Sequence, residues 1–553
     1  MRSLKVFWIL AVLVLFYACS KSKQPPPVTP SPTSFSFSSL KVNGNYNGFI
    51  YKGVNTVPVI KFSFSAALNH NSVSTAVSFA SKTGALVNYN LTYQNSDSTI
   101  IITPIALQPI TQYTLNISTA LKSSAGGNLQ SVITLNLTTA IDTTNKFPVI
   151  TDDQLLNMVQ QQTFKYFYDF GHPVSGLALE RNTSGDVVTM GGSGFGIMAL
   201  VAGVSRQFIT RAQGLARMQL IVGFLKNNAQ TFHGAFPHWM NGSTGAVVPF
   251  STQDDGADLV ETAYLIEGLL TARQYFDGAN AAETQLRTDI NTLWNNVEWT
   301  WFQNNQNTLF WHWSPDYGWS TNMQVNGWDE ALITYVLAAS SNTYPIKKAV
   351  YDNGWAGNGS MKNGNTYFGT MLPLGPPYGG PLFFAHYSFL GINPNGLSDA
   401  YASYDVQNKA HAIINYNYCV ANPKGYYGYG PNCWGLTASD IQNGYTASSP
   451  TNDVGVIAPT AAIASLPYTP VQSMNSLRFF YYKLGDKMWG PYGFYDAFSL
   501  DTPWFATSDL AIDEGPIIDM IENYRSGLLW SLFMSCPEVK TGMKNLGFQG
   551  PNL

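Results

Sequence analysis

Residues 254–270 read DDGADLVETAYLIEGLL, the pattern of a helix with two conflicting features. Asp254, Asp258 and Glu261 recur at i, i+4 and i+7 and share one face. Leu265 and Ile266 continue that stripe with apolar side chains, as a face turned to a core must. Like charges one turn apart cost a helix roughly 0.2–0.5 kcal/mol per pair. Asp254 and Asp255 sit where N-capping and the helix dipole favour acids, but Asp258 and Glu261 lie deeper and lack that explanation. A solvated acidic face would account for the charges and not for their apolar continuation. We therefore expect an inner helix of a helical ring, its N-terminal end opening into a polar pocket.

Helical periodicity recurs throughout residues 150–553, in DDQLLNMVQQQTFKYFYDF, TRAQGLARMQLIVGFLKNN, AAETQLRTDINTLWNNV, DAYASYDVQNKAHAIINYNYCVAN, PVQSMNSLRFFYYKLGD and PIIDMIENYRSGLLWSLF. Long loops rich in Gly, Pro, Trp and Tyr join these stretches, and such loops in a compact domain are usually functional. Successive helical hairpins, several nearly all apolar, predict a closed double ring with a loop-built cleft at one end. GGSGFG at 191–196 lacks both the Gly-Lys-Ser/Thr of a phosphate loop and the full dinucleotide spacing, so it is expected to be a tight loop entering a helix.

Residues 33–142 follow a different rule. PVIKFSFS, VNYNLTY, STIIITP, TQYTLNIS and VITLNLTT alternate with period two and are separated by turns such as SSAGG, which predicts a small all-β sandwich. Without a charged cluster or an aromatic platform, it is expected to be a spacer or docking module. Before it lie a Pro/Ser-rich linker at 20–32 and, at 1–19, Arg2 and Lys5 followed by VFWILAVLVLFYA and Ala18-Cys19. The apolar run is too short for a confident transmembrane span. It is similar to a lipoprotein signal peptide, which implies export and anchoring to a membrane through a lipid on Cys19.

Charged residues make up 11%, against an ordinary quarter, while aromatics reach 14%. The net charge of −4 offers no basic footprint for nucleic acid. Such a balance suits an exported protein holding neutral, polyhydroxylated ligands. Cys419, Cys433 and Cys536 do not have zinc-site spacing; Cys419 and Cys433 could pair, or all three could remain buried thiols. With no H-E-x-x-H or G-x-S-x-G and with scattered histidines, metal and serine hydrolase chemistry has little support; no cofactor and no metal are expected.

Carboxylates remain. In VNGWDEALITYVLAAS, Asn326 is expected to cap a helix whose body is 331–339, leaving Glu330 at the start of a helix apolar nearly all round. A buried, unpaired carboxyl raises its pKa, as a general acid at neutral pH requires; the alternative is a solvated first-turn Glu favoured by the dipole. Two carboxyls across a sugar-binding cleft are what glycosidic hydrolysis uses. Trp239, Trp313, Trp319 and Trp328 are the expected sugar platforms, with Asp329, His312 and His386 as further contacts.

GGSGFGIMAL, DDGADLVETAYLIEGLL, GWDEALITYVLA, HYSFLGINP, NPKGYYGYGPNCWGLTASD, SPTNDVGVIAPTAAIASLPYTP, YGFYDAF and AIDEGPIIDMIENYRSGLLW resemble, in order, the bacterial glucoamylase-like domain, which includes glycoside hydrolase family 144, the β-1,2-glucanases. VIKFSFSAALN and the segment ITPIALQPITQYTLNISTALKSSAGG resemble bacterial Ig-like domains. The first resemblance implies a mainly α, (α/α)6 toroid and metal-independent, anomer-inverting hydrolysis of β-1,2-glucan; a monomer is expected. It matches Asp254, Asp258, Glu261 and Glu330 to acids of the family's pocket, with Glu330 as general acid. Glu514 stands in AIDEGP where the family pattern leads one to expect Gln, and is expected to place a charge near the pocket mouth. Endo-acting hydrolysis is the expectation. Its alternatives are exo release of sophorose, another β-glucan, a polysaccharide lyase or a non-catalytic glycan-binding lipoprotein. An acid-rich, base-poor pocket argues against a lyase, which must neutralise a uronate.

Overall fold

The computed structural model describes residues 34–553; the expected signal peptide, Cys19 and linker lie outside these residues. The alternating N-terminal stretches form β1 (Phe37–Val42), β2 (Ile50–Val54), β3 (Ile60–Phe64), β4 (Val77–Ser81), β5 (Tyr89–Gln94), β6 (Thr99–Pro104), β7 (Gln112–Ile117) and β8 (Ile133–Thr139). They make two four-stranded sheets, in the orders β1-β3-β6-β5 and β2-β8-β7-β4. Antiparallel register sets Phe62 opposite Ile100 and Phe79 opposite Leu115. The period of two turns Leu40, Phe62, Ile100, Leu115 and Leu135 inward, all buried.

The larger unit is helical. Among its described residues, six buried segments succeed one another: Met190–Ser205, Leu259–Tyr275, Leu332–Ser340, the 3-10 turns Leu382–Ala385 and Tyr387–Phe389, Pro459–Ile463 and Ala511–Arg525. The Met190–Ser205 helix packs against both Leu259–Tyr275 and Ala511–Arg525, so first and last neighbours close the ring. Ser388 accepts from the Ile333 N–H and donates to the Glu330 carbonyl, tying the third segment to the fourth. His386 Nε2 bonds Ser465 at 3.0 Å, tying the fourth to the end of the fifth. Helices Asp152–Tyr168, Arg211–Asn227, Ala281–Asn296, Tyr404–Ala421, Pro470–Met488 and Pro537–Leu546 form the outer layer. This is the double ring of an (α/α)6 toroid. An inner helix is covered on all sides, so it must be apolar all round, whereas an outer helix needs only one apolar stripe. Each fully buried Leu or Ile contributes roughly 1.5–3 kcal/mol. Among the described residues no helix is long and apolar enough to cross a membrane, and Cys419, Cys433 and Cys536 are buried free thiols.

GGSGFG is not a loop. It lies within the helix Met190–Ser205, and its glycines permit close helix crossing. A Cβ on Gly194 would collide with the Tyr264 carbonyl, and one on Gly268 with the Gly194 carbonyl. Both obstacles are backbone and cannot rotate away. Gly194→Ala is therefore expected to destabilise the domain by about 1–3 kcal/mol through overpacking, outweighing the roughly 1 kcal/mol of helix propensity it gains. Urea unfolding checks this, and an unchanged or higher midpoint would refute the close-crossing argument.

Candidate active site

The starts of four inner helices converge on one cavity of about 440 Å³, lined by Thr189, Glu261, Glu330 and Leu510 together with loop residues. A second cavity of about 370 Å³ is lined by Asp254, His312, Thr321 and Met323 among others. His238, Phe250, Trp311 and Glu330 line both, so Glu330 stands at their junction.

The acidic stretch does not sit on one helical face. The helix begins at Leu259, and Asp258 is its N-cap, with extended backbone and Oδ1 accepting from the Val260 and Glu261 N–H groups at 3.0 and 2.9 Å. Asp254 lies before the helix, bridged to Ser251. The expected spacing fails because a helix start offers unpaired N–H groups that an Asp side chain satisfies. Loop and cap nevertheless bring the three acids together with two histidines. His238 Nδ1 donates to Asp258 Oδ2 at 3.0 Å. His312 Nε2 lies 3.4 Å from the same oxygen and 3.3 Å from Asp254 Oδ2.

Electrostatics separate these carboxyls. Burial opposes ionisation of Asp258, but the hydrogen bonds from His238 and His312 outweigh it and hold the group well below the usual range. Burial also opposes a charged His238, yet Glu261, Asp258 and Asp254 raise it to about 9. Asp254 is pushed up to about 6 by burial and then by the Asp258 charge. Glu261 is raised by burial, although His238 and the Gly191 N–H, which donates to Oε2 at 2.6 Å, act the other way. Burial, followed by the charges of Glu261 and Asp258, raises Glu330 to about 7. One atom from each of His238, Asp254 and Asp258 lies within 4.8 Å of the others, a spacing that could hold a metal ion. The histidines already balance the carboxylates there.

A half-buried acid still partly protonated near neutrality, beside an anion held ionised and at the meeting of two cavities, is an arrangement for acid–base chemistry. The family described as "Putative glucoamylase" matches residues 322–537, and the bacterial Ig-like domain matches 51–139. The endo-beta-1,2-glucanase from Chitinophaga pinensis, solved with sophorotriose and glucose, is 50% identical with a TM-score of 0.72, over 73% of this chain and 100% of that one. The chain belongs to the bacterial glucoamylase-like family. The beta-1,2-glucanase from Parabacteroides distasonis is 37% identical with a TM-score of 0.70, over 92% of this chain and 74% of that one. The exo beta-1,2-glucooligosaccharide sophorohydrolase (non-reducing end) of that species is 47% identical over 421 residues, 72% of this chain; the chain spans 58% of that enzyme's length.

Within this glucoamylase-like domain the expected site divides. Glu330, Glu261, Asp254, His312 and Trp239 line the cavities. Asp258 is fully buried and lines neither, so it positions the two histidines from behind. The Glu330 helix is Leu332–Ser340, capped at Ala331 and not at Asn326; Asp329 Oδ1 accepts the Ala331 N–H at 2.8 Å, and Asp329 lines neither cavity. Trp328 is 4% exposed and packs against Phe389 and Tyr404, a core residue. Trp313 and Trp319 pack on Trp301 instead of facing the cleft. His386 bonds Ser465, and burial lowers it to about 3, making it a neutral strut. Glu514 is 1% exposed, raised well above the usual range by burial, and lies away from the pocket mouth. Sequence reasoning missed Trp311, Tyr387 and Glu180 as cavity walls. The signal for Trp311 was present: FWHW is interrupted at residue 311, between the strands Leu309–Phe310 and His312–Trp313, and the break turns that indole toward the cleft.

Proposed function

We propose that this protein is an endo-β-1,2-glucanase, exported and tethered through Cys19. The observation that carries the endo reading is the position of Glu330 between two cavities, with room for sugar units on both sides of the scissile bond. The likeness to the Chitinophaga pinensis endo-enzyme supports the linkage. The likeness to the sophorohydrolase favours a second reading, exo release of sophorose.

Glu330, which keeps its proton in part at neutral pH, gives it to the glycosidic oxygen as the bond to the anomeric carbon breaks. Water bonds to the anomeric carbon from the opposite face and gives a proton to a carboxylate base, for which Asp254 is our choice. It lines the second cavity with Glu330, ionises near 6, and its buried Oδ1 has no partner in the protein. Glu261 is less suited because Gly191 and Thr189 occupy its Oε2. Two carboxyls from different elements, with water between them, fit inversion, which calls for roughly 6.5–9.5 Å between acid and base. Half-buried Trp239 and Trp311 supply apolar faces for sugar rings.

Incubation with linear β-1,2-glucan, followed by chromatography, tests the substrate and the mode together. Mixed sophoro-oligosaccharides are expected; sophorose alone establishes the exo reading, and no product rejects both. NMR of the first product, taken before mutarotation, should show the α-anomer; an initial β-anomer would overturn the inverting assignment.

A further inference from the structure

Beyond Tyr445 a third cavity, of about 520 Å³, opens beside the first. Arg181 and Tyr445 line both, so the space around Glu330 continues into it. Its far wall is a hairpin in which the strand Phe498–Ser499 pairs with Trp504–Phe505. Trp504 is half-buried there and lines the cavity. Its polar edge is rigid. Arg181 Nε meets Glu180 at 2.9 Å, Arg181 Nη1 meets both Asp440 oxygens at 3.2 Å, and Ser508 donates to Asp440 at 2.5 Å. Two carboxylates thus occupy the Arg181 guanidinium, which leaves it poorly placed to draw an anionic polymer. An indole face beside hydrogen-bonded polar groups, whose one guanidinium is outnumbered by two carboxylates, suits a neutral sugar ring and not an anionic one.

We propose that Trp504 is the platform of a distal sugar-binding subsite, reached by the glucan chain past Tyr445, and that it sets the enzyme's preference for long chains. The proposal rests on the hydrolase reading above. A unit stacked this far from the bond adds affinity without touching the reacting atoms, so its loss falls on KM and not on kcat.

The test compares wild type and Trp504→Ala on linear β-1,2-glucan and on the shortest β-1,2-gluco-oligosaccharide that the wild type cleaves. The variant is expected to show KM for the long glucan raised roughly 3- to 10-fold, the scale of one lost aromatic stack. Its kcat and its rate on the short substrate should be unchanged. Equal losses on long and short substrates, or none on either, would overturn the subsite. A wild type inactive on both would instead reject the hydrolase reading, and the subsite with it. If the alanine variant melts early, Trp504→Leu keeps the hairpin's apolar bulk without an aromatic face, and the same criteria apply.

Discussion

Glu330→Gln is expected to lower kcat on β-1,2-glucan by roughly 10²-fold or more while KM stays near the wild-type value. The amide keeps the shape of the side chain but has no proton to give the leaving oxygen. Because Glu330 titrates at about 7, wild-type kcat should fall as pH rises through that value, and the residual activity of the variant should not follow that limb. Stability should move the other way. The folded protein holds the Glu330 proton more tightly than the unfolded chain, whose glutamates titrate near 4.3. Wild-type stability therefore declines as pH rises from about 4.3 through about 7. The variant escapes this decline, so its melting temperature should gain on wild type across that interval. Initial rates and thermal melts over pH 4–9 measure both effects; near-normal kcat would remove Glu330 from the chemistry.

Asp258→Asn is expected to have the largest effect on stability, although Asp258 lines neither cavity. Its carboxylate is wholly buried, caps the Leu259–Tyr275 helix and receives His238 and His312. An amide can still cap the helix, but it presents no anion to two histidines whose protonated forms the surrounding carboxylates favour. Breaking a buried pair of this kind typically costs about 3–5 kcal/mol. The signs of both shifts define the window. The depressed Asp258 contributes stability present above the ordinary carboxyl range and lost as pH falls through its lowered value. The raised His238 contributes stability fully present below about 6.5 and lost as pH rises through about 9. The gap between wild type and variant should therefore be widest between about pH 4 and 6.5 and narrow as pH rises through 9. NMR titration should show His238 falling from about 9 toward ordinary histidine values. A variant in which His238 still titrates near 9 would show that Glu261 and Asp254 suffice, and Asp258 would lose its positioning role.

The helical half was legible because each element solves a local problem. Thr151 and Thr210 each open an outer helix with a reciprocal capping box, and Leu332–Ser340 is apolar all round because nothing in it meets water. The alternation in STIIITP and VITLNLTT likewise leaves few choices but strands with a buried face. Glu330 stood out as a carboxyl at the start of a helix apolar nearly all round.

Local pattern alone establishes which segments are buried, which period each follows, which family the motifs resemble and which carboxyl is out of place. The direction each buried residue faces is set by packing between segments distant along the chain. On an outer helix, burial means one side, and periodicity names it. In the inner ring and its loops every side is covered, so a tryptophan packed on Trp301, as Trp313 and Trp319 are, and one walling the cleft, as Trp311 does, carry the same local pattern. Asp258 and Glu261 likewise look alike along the chain. One turns back to cap its own helix and hold two histidines, the other forward into the cavity. The difference depends on His238, His312 and Gly191, which are distant along the chain and are brought within hydrogen-bonding reach only when the ring closes.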